Sequence, residues 1–249
     1  MESQLKRFSF SVFFILIISF IYSVDFLDIN FFIEPHFKNI DKQAFTVNNT
    51  INDSIKQVNI FGGKILDNVS RDSTIIAFLD SVKCDYASPT DYMFSAVKHD
   101  INYKILASNI VCDSIPIVTE AIIETDSISV GIFSIYIPDF VVKKKINVNA
   151  ELDMHVFDIA KKHAEALAKK TDFVIMFSSL SKYIDSYITE DIPVDAVVSF
   201  DYQKKRNGVL DNKHTNYYAV LSRKGKFGKL RFEYENTKLS KKWMEVGIK

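Results

Sequence analysis

Residues 172–203 read DFVIMFSSLSKYIDSYITEDIPVDAVVSFDYQ, and this stretch decides the fold class. Phe173 to Phe177 (FVIMF) is a continuous apolar run of strand length. Tyr183, Ile184, Tyr187 and Ile188 then recur at helical spacing, and Ala196 to Phe200 (AVVSF) is apolar throughout again. Strands without polar alternation bury both faces, so a strand–helix–strand order of this kind predicts a sheet covered by helices.

The same pattern extends in both directions. Upstream, a helix is expected over about Asp153 to Lys170, with Asp153 as its N-cap. Val156, Ile159, Ala160, His163 and Leu167 form its inner stripe. Ile115 to Glu124 and Ser127 to Ile135 read as a hairpin turning at Thr125-Asp126. Val58 to Phe61, Asp85 to Ser88 and Tyr103 to Ser108 read as earlier strands. A helix after Ser70 or Asp72 buries Ile75, Ile76, Leu79 and Val82. Downstream, Asn216 to Leu221 and Lys229 to Tyr234 flank Lys224-Gly225-Lys226 and read as a closing hairpin, which makes the sheets mixed. The stretch from Lys238 to Lys249, with Lys241, Lys242 and Trp243, reads as a basic C-terminal tail.

Composition narrows the function. The 249 residues include 31 basic and 31 acidic side chains, a formal balance of zero, so no concentrated basic surface for nucleic acid is expected. Glycine numbers only 7, which argues against a long phosphate-cradling loop. Lys6 and Arg7 precede an apolar run from Phe8 to Ile21, the arrangement of a secretory leader or, if uncleaved, a signal anchor. Residues 1–23 are therefore expected to direct export to a periplasmic, extracellular or membrane-anchored location, with one domain over 24–236 and the tail over 237–249. Cys84 and Cys112 are expected to be free thiols rather than a disulfide framework.

Six segments, in order, resemble the 5′-nucleotidase branch of the calcineurin-like metallophosphoesterases. Asp85 to Ser95 (DYASPTDYMFS) is similar to the segment that carries Gly-Asn-His-Glu. Tyr103 to Ile110 (YKILASNI) resembles the strand ending in Ser-Ala-Asn. Val130 to Ile135 (VGIFSI), followed by Pro138-Asp139, resembles the Val-Gly-Ile strand. Asp172 to Ser181 resembles the strand ending in Ser-His-Leu-Gly, Val194 to Gln203 the strand ending in Gly-Gly-His-x-His, and Thr215 to Phe232 the closing strands. The similarity runs from about Phe26 to Tyr234. It implies an α/β four-layer sandwich, two mixed β-sheets flanked by helices.

The resemblance also implies ligand positions for two divalent metals held by carboxylate, imidazole and amide oxygen. Transferred residue by residue, Asp28 and Asn30 fall on the first motif, Lys64 on the bridging carboxylate, and Asp91 and Tyr92 on the Asn and His of the third. Ser179 falls on the His of the fourth, and Asp201 and Gln203 on the two His of the last. Only Asp28 keeps its residue type, no imidazole remains at these positions, and an ammonium at Lys64 repels cations. The expectation is a vestigial site without catalytic residues, bound metal or other cofactor, whose partner is a protein or a small anionic ligand. Lys64 is expected either among Asp28, Asp91 and Asp201 as an electrostatic substitute for metal, or extended into solvent. An active metal-dependent phosphatase with altered ligands and a membrane-anchored assembly component are the alternatives. His36, after Glu34-Pro35, can serve as a replacement ligand, although a surface histidine is the commoner case. His155 and His163, eight positions apart, do not have ligand spacing. The family's nucleoside-binding second domain has no expected counterpart here, so nucleotide specificity is not carried over.

Overall fold

The computed structural model describes residues 24–33, 55–62, 77–89, 101–112, 117–137, 150–200, 208–209, 212, 214–220, 226–235 and 237–247. The first sheet joins β1 (Asp25–Ile33), β2 (Lys56–Gly62), β3 (Tyr86–Ala87), β4 (Lys104–Leu106) and β6 (Ile117–Val118) in parallel. β14 (Lys226–Glu235) and β15 (Lys238–Gly247) are added antiparallel on the β1 side, giving the order β15-β14-β1-β2-β3-β4-β6. In the second sheet, β8 (Ser129–Ile135), β10 (Phe173–Ser178), β11 (Ala196–Ser199) and β13 (Asn216–Ala219) are parallel. β7 (Glu120–Glu124) and β12 (Gly208–Val209) run antiparallel at its edges. β5 (Ile110–Cys112) and β9 (Ala150–Leu152) form a separate antiparallel pair. The structure is thus the expected α/β arrangement of mixed sheets.

Side-chain alternation explains the packing. Leu27, Ile29, Phe31 and Ile33 of β1 point to one core, where they meet Ile175 and Phe177 of β10 and Val198 of β11. The Phe31 and Phe177 rings lie 5.5 Å apart, and those of Phe173 and Phe232 5.0 Å apart. Alternate residues of the second sheet (Phe133, Ile135, Val174, Met176, Val197) form another cluster with Ala160, Ala164 and Leu167 of α1 (Val156–Ala168). Phe32 and Phe61 of the first sheet pack with Phe78, Leu79 and Val82, at and beside the helical turn 77–81.

Several sequence expectations carry through. The hairpin of β7 and β8 is present, and its turn is tied to β1: the Asp25 carboxylate accepts from the Thr125 hydroxyl and, at 3.0 Å, from the Ser127 amide. Cys84 and Cys112 are both free thiols. α1 begins at Val156 rather than Asp153. The Asp153 carboxylate is used nearby instead, accepting the His155 amide at 2.8 Å and facing its ring Nδ1 at 2.9 Å.

Two expectations are corrected at the C-terminal end. Asn216–Ala219 and Lys226–Glu235 are not a hairpin: the first lies in the second sheet and the second in the first, so the connection crosses the sandwich. The basic tail is instead β15, paired with β14 from Glu235↔Lys238 to Lys226↔Gly247. The lysines hid a period-2 pattern. Trp243 faces the inter-sheet core and stacks on Tyr218 at 4.6 Å, while Val246 packs on the opposite side with Phe227 and Phe78. The turn takes the left-handed conformation at Thr237 (φ 64°), the geometry of a two-residue hairpin.

Candidate functional site

In sheets of parallel strands, ligand sites form beyond the C-terminal strand ends, where loops converge. Here the two sheets meet at those ends. β1 and β2 finish in register, Ile33 opposite Gly62. The Ser88 amide after β3 donates to the Phe61 carbonyl at 2.8 Å. β8, β10 and β11 finish together at Ile135, Ser178 and Ser199. Gly62 abuts the opposite sheet so closely that a Cβ there would sit 2.4 Å from Phe177 Cζ and 2.8 Å from Phe200 Cγ. Phe177 and Phe200 lie 4.6 Å apart and Tyr136 stacks on Phe200 at 6.1 Å, so aromatic rings fill the space beneath the strand tips. Gly62→Ala is expected to destabilise the protein by about 1–3 kcal/mol through overpacking, measurable as a lowered thermal midpoint.

Asp28 is not at the strand tips. It lies five positions before Ile33, roughly 16 Å from the C-terminal edge at about 3.3 Å per residue. Its carboxylate is buried and bound by two cations of β14. Lys229 Nζ donates to Oδ2 at 2.8 Å; Arg231 donates from Nε to Oδ1 and from Nη2 to Oδ2, both at 2.7 Å. Burial raises its pKa, but the hydrogen bonds from Arg231 and Lys229 outweigh that and hold it below the usual carboxylate range. The same contacts raise Arg231 above its ordinary value. Of the expected carboxylate cluster around Lys64, Asp28 is therefore occupied by Lys229 and Arg231. Lys64, Asp91, Tyr92, Asp201 and Gln203 lie outside the described residues.

Asn30 shares this face of β1 but serves another network. Its Nδ2 donates to Asn59 Oδ1 at 2.8 Å and to Gln57 Oε1 at 3.3 Å. Asn59 in turn donates from Nδ2 to the Val82 carbonyl at 2.7 Å and from its amide to the Asp85 carboxylate at 2.8 Å. Burial raises the Asp85 pKa, partly offset by that amide. These contacts tie β1 and β2 to the chain entering β3, which is a structural role.

Ser179 does lie at a strand tip, and its hydroxyl oxygen accepts the Ile137 amide at 2.9 Å. Its own amide donates to the Ile135 carbonyl at 3.1 Å. The buried Ser178 hydroxyl donates to Asp185 of α2 (Lys182–Ile188) at 2.6 Å and accepts the Leu180 amide at 3.0 Å. Both serines therefore lock the exits of β8 and β10. Asp28 and Asn30 share one strand face, whereas Ser179 belongs to the other sheet, so the described site residues do not converge. Among the described residues no three His, Cys, Asp or Glu side chains are grouped to hold a metal ion. The described residues do not fit a two-metal centre, because the carboxylate is clamped away from the tips and the tip hydroxyls are spent on backbone and Asp185.

Sequence reasoning missed Lys229, Arg231 and Asp185. The alternation of Lys229 and Arg231 with Leu230 and Phe232 was a usable signal, since charges on a two-sided buried strand need a partner.

The fold is that of the calcineurin-like metallophosphoesterases, as solved structures of 5′-nucleotidases show. A Staphylococcus aureus protein described as a candidate 5′-nucleotidase superposes with a TM-score of 0.69 at 9% identity, over 90% of this chain and 54% of that one. The NAD nucleotidase of Haemophilus influenzae gives 0.68 at 13% identity, over 90% and 56%. A 5′-nucleotidase precursor of Thermus thermophilus gives 0.65 at 12% identity, over 89% and 54%. The chain thus spans about half the length of these proteins. No family model matches it, and no curated protein is similar to it in sequence.

Proposed function

We propose that this chain, with the fold of the 5′-nucleotidase catalytic domain, is an exported binding or structural domain without hydrolytic activity. The observation that carries the reading is the use made of its strand tips. Ser178 and Ser179 fasten backbone and Gly62 is packed on Phe177 and Phe200; away from the tips, Asp28 is neutralised by Lys229 and Arg231. Lys64 at the bridging position of the resemblance supports it, because an ammonium cannot ligate. Export rests on the leader-like residues 1–23, and the neutral charge balance favours a protein or small anionic partner over nucleic acid. Such a chain acts by what it holds in place, including as a membrane-anchored component if the leader is retained.

A second reading is favoured by the register of β1. In sequence, Ile33 at the end of β1 is followed by Glu34-Pro35-His36, a carboxylate and an imidazole with the spacing of the family's Asp-x-His. That ordering supports a metal-binding phosphatase with altered ligands. Elemental mass spectrometry on protein purified without chelator, beside phosphate release with added manganese, separates the two. The first reading expects less than one metal per chain and no turnover above buffer. Two metals per chain, with turnover abolished by Glu34→Gln, would establish the second.

A further inference from the structure

Residues directly opposite each other in an antiparallel pair share a face of the sheet, and like charges so placed repel. Arg231 of β14 stands opposite Lys242 of β15 in this way, on the face turned away from the inter-sheet core that holds Leu230, Phe232 and Trp243. Lys242 is exposed, and the Arg231 side chain keeps 32% of its surface open to solvent. The neighbouring carboxylates leave a positive excess on this face. Asp28 is shared between Lys229 and Arg231, and Glu233, two residues beyond Arg231, adds a negative charge near enough to favour the charged guanidinium. Lys242 remains as a third cation.

Arg231 is already fixed in place. The buried Asp28 carboxylate accepts from Nε and Nη2 along one edge of the guanidinium, and the Phe26 ring centre lies 5.7 Å from Arg231 Cζ. One hydrogen on Nη2 and both on Nη1 lie outside that ion pair. One from each nitrogen makes the parallel fork that takes an oxyanion in bidentate fashion. A side chain held in this way loses little further freedom on binding.

We propose that Arg231 and Lys242 together bind a phosphate-type oxyanion, free or as a phosphate monoester, on the outer face of the β14–β15 ribbon. Charge favours phosphate over a carboxylate. A group of about −1.5 to −2 at neutral pH answers two facing cations, whereas a single carboxylate answers one. Such a site gives the binding domain proposed above its class of ligand and rests on that reading. Its residues lie in mid-strand, so metal or turnover at the strand tips is measured independently of it.

Calorimetry on the full chain, stripped of metal and dialysed free of chelator, tests this with inorganic phosphate at low ionic strength. Wild type is expected to saturate with a Kd on the order of 1 mM, and acetate at matched ionic strength to bind several-fold more weakly. Lys242→Gln, which changes an exposed side chain, is expected to weaken phosphate by roughly fivefold or more without lowering the thermal midpoint. Lys242→Arg is expected to retain it. Vesicles of phosphatidylcholine with and without phosphatidic acid separate the sources. Extra sedimentation with phosphatidic acid that Lys242→Gln removes assigns the phosphate to a lipid head, and phosphate binding without that difference assigns it to a soluble ligand. A wild type that does not saturate by about 20 mM phosphate overturns the proposal. So does binding that Lys242→Gln leaves unchanged, which places the anion elsewhere, or acetate binding as tight as phosphate.

Discussion

Asp28→Ala is expected to destabilise the folded protein by about 3–5 kcal/mol, because it leaves Lys229 buried and Arg231 half-buried without their anion. For a domain of this size that lowers the thermal midpoint by on the order of 10 °C. If Asp28 were instead a metal ligand, its removal would change metal content and leave stability nearly untouched. Changing Asp28 to Leu together with Lys229→Met and Arg231→Leu is expected to recover most of the loss, since an apolar set needs no compensating charge. A loss of under about 1 kcal/mol for Asp28→Ala would show that the three groups are held by solvent rather than by each other. The pH dependence has a definite sign. The folded pKa of Asp28 is depressed, so its contribution is complete above the ordinary carboxylate value, about 3.9. It is lost as pH falls through the lower folded value. The gap between wild type and Asp28→Asn in acid denaturation is therefore expected to close only at the acid end of the scan.

Trp243→Ala is expected to cost about 3 kcal/mol, at the low end for a buried tryptophan because the residue is only half-buried. The indole stacks on Tyr218, lies 6.2 Å from Phe31, and covers Gly228 so closely that a Cβ there would stand 2.1 Å from its Cη2. Gly228→Ala in the wild type is therefore expected to cost about 1–3 kcal/mol by overpacking, and much less in the Trp243→Ala background. A double-mutant cycle by urea unfolding measures that coupling, and additive losses would mean that the indole does not press on the glycine. Ending the chain after Glu235 goes further, since it removes the whole of β15. The expected result is loss of the cooperative transition, which a dispensable tail would not produce.

The sequence disclosed the sheets better than the site, for a physical reason. FVIMF and AVVSF announce buried strands because burial on both faces needs nothing but apolar side chains, and that is a local property. β1 was not read as a strand from the sequence, although Leu27, Ile29, Phe31 and Ile33 mark one face and Asp28 and Asn30 the other. What the alternation could not give was the partner. Asp28 is answered by Lys229 and Arg231 across some two hundred residues, a pairing no local period encodes. Counting the first motif from the nearest aspartate placed it in mid-strand, five positions before Ile33. The C-terminal strand was obscured in a similar way. Its lysines suggested solvent, although their stems can lie along a sheet while the ammonium reaches out, as Lys241 does toward Asp195.

The pairing of β1 with β14 sets when folding can finish. Asp25 registers with Tyr234, so β1 waits for a strand made some two hundred residues later, and that strand is bordered in turn by β15. At about 5–20 residues per second, the intervening two hundred residues take on the order of 10–40 s to appear. Throughout that interval the first sheet lacks a border on the β1 side, and contacts so distant in sequence form slowly even afterwards. A nascent chain of this topology is held open by its own connectivity until its two antiparallel border strands have been made.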